Sequence, residues 1–120
     1  MTTPNPYRGE VVVELDGRSY VLRPSFQAMV QIEVAAGRGL VPLTRSLMSG
    51  EILVTDIVAV LQGAIDAGLP AGSKRMTRDE IGEAVFRAGV LGLVPAIVTF
   101  LTGCIAGGTE ASEESAGGNA

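Results

Sequence analysis

RGEVVVELDGRSYVLRPSFQAMVQIEVAAGRGL, residues 8–40, decides the fold. Val11, Val13 and Leu15 alternate with Val12 and Glu14, the period-two pattern of a half-buried strand. Asp16-Gly17 follows at once. Between two such runs this pair predicts a tight hairpin, because a type I′ turn needs positive φ at both central residues. The return strand runs from Arg18 to Arg23, with Tyr20 and Leu22 on one face. Pro24 has no N–H to donate and ends it. Ser25 is placed to cap a helix from Phe26 to about Ala36, which Gly37 and Gly39 close.

Beyond this stretch the pattern is helical. Leu40 to Met48 predicts a short helix with Pro42 in its first turn, ended by Ser49-Gly50. Glu51 to Val54 is a short candidate third strand. Thr55-Asp56 opens a helix to about Ala67, with Ile57, Val58, Leu61, Ala64 and Ile65 as its core stripe. Gly68 and Pro70 stop it, and GLPAGSKRM, residues 68–76, reads as a loop. Thr77-x-x-Glu80 is a capping-box pattern, followed by the apolar line Ile81, Ala84, Val85 and Ala88. Gly89 and Gly92 break the chain before a last helix from about Leu93 to Ala106, with Pro95 in its first turn. The expected fold class is therefore α+β. One small domain, residues 8–106, carries an N-terminal β-hairpin followed by four to five short α-helices. Residues 1–7 read as a flexible arm. Residues 107–120, GGTEASEESAGGNA, lack any large apolar side chain and read as a disordered acidic tail.

Composition narrows the function. The chain has 120 residues, enough for one core, and is 47% hydrophobic but only 4% aromatic, so Val, Leu, Ile and Ala must fill that core. The net charge of −4 is concentrated in Glu110, Glu113 and Glu114. The rest is nearly neutral and has no basic stripe, which argues against a nucleic-acid partner. There is no His, which excludes Ser-His-Asp and Cys-His catalysis. The single Cys104 lies in an apolar run, can form no intrachain disulfide, and suits a reducing cytoplasm. Met1 to Tyr7 has no apolar segment of signal-peptide type.

Neither glycine loop is a phosphate cradle. Gly37-Arg38-Gly39 runs into Leu40-Val41-Pro42, and Gly68 to Lys74 lacks the order of a P-loop. Asp79, Glu80 and Glu83 sit at a helix start, where acids favour the positive end of the dipole. The expectation is a protein that is not an enzyme and has no cofactor or metal site. Gly89 to Gly108 is uncharged and long enough to span a bilayer. Gly92, Pro95, Thr99, Thr102 and Gly103 interrupt it, no Lys or Arg follows it, and a two-stranded hairpin needs a helix to cover it. A buried or partner-facing helix is the expected reading, not a membrane span.

Glu-Val-x-Val-x-Leu-x-Gly, then Tyr-x-Leu-Arg-Pro-Ser-Phe, then Ile-Glu-x-x-x-Gly-Arg-Gly-Leu resembles the gene transfer agent family of tail-assembly proteins, encoded among phage-tail genes of bacteria and prophages. Thr77 to Gly82, Ala88-Gly89, Pro95-Ala96 and Phe100-Leu101 continue the resemblance to about Gly107. It implies a cytoplasmic assembly chaperone that coats the tape measure protein while a tail tube grows, with the tail tube protein as a further partner and self-association on the long partner. The alternative is a structural tail-tube or tube-associated subunit, whose hairpin adds its edge to neighbours in a ring. The small sheet favours the chaperone. A third reading is an adaptor domain unrelated to tails. For the partner-binding surface, Leu93, Ile97, Val98, Leu101 and Ile105 are the candidates, since they exceed what one buried face requires. The same residues would equally form the face packed into the core.

Overall fold

A computed structural model describes residues 9–107. The arm expected over 1–7 and the tail beyond Gly107 lie outside the described residues. The chain forms β1 (Val11–Leu15), β2 (Arg18–Leu22), α1 (Phe26–Ala36), α2 (Leu40–Met48), α3 (Val54–Gly68), α4 (Arg78–Ala88) and α5 (Val90–Ile105). The hairpin is antiparallel, with Leu15 opposite Arg18 and Val11 opposite Leu22. Asp16 adopts φ 53 and Gly17 φ 79, the positive values that a two-residue turn requires.

α3 is the axis of the molecule. Ile57, Val58, Ala59, Val60 and Leu61 are consecutive and all buried, so this helix is apolar around its circumference rather than along one stripe. α1 crosses it at unusually close range. A Cβ placed on Gly63 would lie 2.7 Å from Cγ1 of Ile32 and 2.8 Å from its backbone nitrogen. Only a glycine lets the two backbones approach this far. α4 and α5 pack on other sides of α3, and the inner face of the hairpin (Val13, Leu15, Leu22) closes the same core.

Polar groups fix the corners. Ser25 Oγ accepts from the Ala28 N–H at 3.1 Å and starts α1. Gly37, at φ 74, ends it in the left-handed region. Gly39 precedes α2 and has no side chain to cap it, so Glu33 of α1 takes that role and accepts from the Leu40 N–H at 3.0 Å. Asp56 is buried in the first turn of α3 and pairs with Arg38 from the α1–α2 corner. Thr77 and Glu80 form the reciprocal capping box of α4. Arg87 of α4 grips the hairpin turn with two bonds to Asp16, at 2.8 and 2.7 Å. That contact holds the Asp16 carboxyl below its ordinary range.

Two boundaries differ from the sequence reading. Glu51 to Leu53 form no strand, and α3 begins at Val54. α5 begins at Val90 instead of Leu93, so Pro95 lies inside the helix. The helix tolerates it because Pro95 and Leu91 are both exposed, and the Leu91 carbonyl deprived of its N–H donor can turn to water. Gly92 does not break the helix. Gly89, at φ 93, makes the break alone and turns α5 by 115° from α4. No single helix among the described residues is long and apolar enough to cross a membrane, although this bent pair passes by length and composition.

Two glycine substitutions separate packing from propensity. Gly63→Ala forces α1 away from α3 and should cost about 2 kcal/mol net, after the helix-propensity gain of alanine. At Gly82 an added Cβ meets only Val58 Cγ2 at 3.9 Å. Gly82→Ala should therefore stabilise by about 0.5–1 kcal/mol. Thermal melts of the two variants should move in opposite directions. Arg38→Ala strands the buried Asp56 carboxylate and should cost about 2–3 kcal/mol in denaturant titration, below the usual range for a buried pair because Arg38 is partly exposed.

Candidate interaction surface

The reactive-looking side chains are occupied structurally. Ser25, Thr77 and Glu80 are helix caps. Among the described residues no group of three or more His, Cys, Asp or Glu is placed to hold a metal ion. Burial pushes the Cys104 thiol up to about 11, so little nucleophilic thiolate exists near neutral pH. A cleft of about 670 Å³ lies between the hairpin turn and the loop before α4. Arg18, Lys74, Arg75 and Arg87 face it, and so do Asp16, Glu80 and Glu83. Its charges nearly balance, so it is not a single-sign patch that would concentrate an ionic ligand.

Asp66, near the end of α3, sits in an environment that works against its charge. Its Oδ1 is buried and accepts no hydrogen bond from the described residues. Desolvation raises its pKa, and Arg75 at 3.7 Å offsets this only in part.

What the surface offers is apolar. The five residues expected on α5 divide between core and surface. Ile97 and Leu101 are fully buried and Leu93 is nearly so, each packed into the common core. In this fold those three are core residues, which corrects their placement on a binding face. Val98 is half-buried against the same core. Only Ile105 is exposed. It faces a shallow groove of about 490 Å³ shared with Val41, Thr44, Arg45 and Met48 of α2.

The larger apolar surface lies on α1. Phe26 is 81% exposed, Val34 is 76% exposed, and Val30 between them is also exposed. They stand four residues apart, so they form one line along the helix. Ala28 and Ile32, the buried residues of α1, face the other way into α3. α1 thus has an apolar stripe on each side, and only the inner one has a partner among the described residues. Phe86 of α4 and Leu91 of α5 add exposed apolar side chains at the α4–α5 corner. The sequence did carry this signal. Phe26, Val30 and Val34 follow the i, i+4, i+8 rule as plainly as Ala28 and Ile32 do, and two apolar lines on one short helix are more than a core requires.

A family model described as phage tail tube protein, GTA-gp10, matches residues 8–107. The match takes in every described residue. It agrees with the resemblance to gene transfer agent tail proteins over the same stretch, and its description refers to the tail tube rather than to a chaperone. No curated protein and no solved structure matches the chain.

Two measurements probe the polar assignments. Thiol reagents should leave Cys104 unmodified in the native protein and label it fully in denaturant. An acid whose pKa is raised on folding stabilises the fold below its ordinary value and loses that contribution as pH rises through the raised value. Asp66→Asn should therefore be more stable than the parent at pH 7, with the difference shrinking as pH falls toward the ordinary carboxylate range. Chemical denaturation at both pH values checks the sign.

Proposed function

This chain belongs to the phage tail tube protein family described as GTA-gp10, and on that premise we propose that it is a tube-associated subunit of a phage-like tail. It works by protein–protein contact in the bacterial cytoplasm during particle assembly, without catalysis. The observation that carries this reading is the outer stripe of α1, Phe26, Val30 and Val34. A solitary small protein gains nothing from apolar residues exposed in a row, whereas a subunit that packs against neighbours does. The stripe fits helix-on-helix or helix-in-groove contact.

A second reading has its own support. The sheet has two strands among the described residues, and the remainder of the described fold is helical. A subunit forming the wall of a tube by continuous sheet needs more strand than this. That observation favours an assembly factor that coats the tape measure protein through the same stripe, in many copies whose weak contacts add by avidity.

Co-expression with a phage-tail tape measure protein and a tail tube protein, followed by size-exclusion chromatography with mass detection, separates the two. The tube-associated reading expects rings or tubes formed by this chain with tail tube protein, while the tape measure stays insoluble. A soluble complex with many copies per tape measure would replace it with the chaperone reading. In either assembly, Phe26→Asp and Val34→Asp should abolish association with the melting temperature nearly unchanged. Leu101→Asp, placing a charge in the core, should unfold the domain.

A further inference from the structure

The outward side of α1 carries almost no charge. Phe26, Val30 and Val34 form one exposed row along it, and Gln27, Gln31 and Ala35 form the exposed row beside it. Glu33 is the one ionisable side chain between Phe26 and Ala36, and its carboxylate is engaged by the Leu40 N–H at 3.0 Å. A helix face that only meets water is normally rich in Lys, Glu or Arg, which keep their hydration there. This face instead sets a line of three apolar side chains next to two primary amides. Two neighbouring i, i+4 rows of this kind are the ridges on which a second helix packs.

The two rows themselves decide which helix fits. Neither carries a charge, so a partner selected by complementary charge has nothing to meet. What the rows offer is self-complementary. A Gln amide holds both donor and acceptor groups, so Gln27 and Gln31 can be satisfied by their own counterparts in a copy. The face also tapers, from the large Phe26 at one end to Val34 with Ala35 beside it at the other. Laid antiparallel on its own copy, the bulky end of each helix meets the small end of the other. Val30, midway, meets Val30 of the copy. Phe26 and Val34 stand about 6 Å to either side of it along the axis, so both end contacts form in the same register.

We propose that α1 pairs antiparallel with α1 of a second copy of this chain, about a two-fold axis at Val30. The same patch serves both copies, so the contact closes as a dimer and does not grow into a filament. The face spans only three turns of helix, small beside a standard interface, so the dimer exchanges with monomer and dissociates on dilution. The inference rests on the reading of this stripe as a subunit contact, and it names the neighbour and the geometry.

The test uses the full chain by itself, with no tail protein present. Sedimentation velocity over a dilution series should show a reversible monomer–dimer equilibrium for the parent and monomer alone for Val30→Glu, with the same helical circular dichroism for both. Cysteines added one at a time then read the geometry, since Cys104 is buried and does not compete. Helix axes about 10 Å apart bring facing Cα atoms to roughly 5 Å, a separation that a disulfide spans. Random collision favours exposed sites, and Val30 at 41% is less exposed than Phe26 at 81% or Val34 at 76%. Pairing demands the reverse. Val30→Cys should form an intermolecular disulfide at least about tenfold faster than Phe26→Cys or Val34→Cys, because the axis holds its two thiols at high effective concentration. Phe26→Cys mixed with Val34→Cys should cross-link to each other more than to themselves. A parent that stays monomeric throughout would overturn the proposal, as would a Val30→Glu variant that still dimerises. Cross-linking rates that follow exposure would also overturn it. Contact of the stripe with a tail tube protein is read separately by co-expression, so that reading can stand where this one fails.

Discussion

The fold depends on how closely α1 and α3 cross. At Gly63 the α3 backbone meets Ile32 at a separation that excludes even a methyl group. This contact sets the height at which α1 lies on the central helix. It brings Ala28 and Ile32 fully inside, and the opposite side of α1 is then left outside by geometry. The exposed line of Phe26, Val30 and Val34 is thus a by-product of the same crossing that builds the core. A helix with one apolar side would have ended the matter there. This one has two.

The other elements take their positions from charged and capping groups around that crossing. Glu33 serves α1 by its place in the helix and α2 by its carboxylate, so the α1–α2 corner is tied by a side chain rather than by turn residues alone. Arg38 reaches from that corner to the start of α3. Arg23 and Glu10 pair at the open end of the hairpin, at 3.1 Å. The partners in the last two of these ties, Asp56 and Glu10, are buried, which makes them sensitive to the loss of their cation in a way exposed pairs are not.

Much of this was legible in the residues. The hairpin was, because Asp16-Gly17 sits between two alternating runs and few other structures tolerate that combination. The first helix and the capping box of α4 were, because caps act locally and leave a local signature. The start of α5 was not. Gly89, Val90, Leu91 and Gly92 contain no capping side chain, and Gly92 in a helix looks the same in sequence as Gly92 in a break. Nor was the surface of α5. Leu93, Ile97 and Leu101 lie in a helix that is apolar on nearly every side, and periodicity cannot say which side of such a helix faces inward. Gly63 carried no signal as a contact point, since a close approach is a property of two helices and not of one residue.

The clasp between Arg87 and Asp16 joins positions 71 residues apart. The turn that it grips leaves the ribosome before the guanidinium that grips it, with α1, α2 and α3 made in between. The entropy of closing so long a loop grows only slowly with its length, so distance alone does not forbid the clasp. It does order events. α1 can meet α3 early, over a short span of chain, whereas the hairpin, which also touches α3, gains its contacts with α4 and α5 only when those helices exist. Until α4 and α5 are made the strands of the hairpin are held in waiting, and their last attachment is to these later helices.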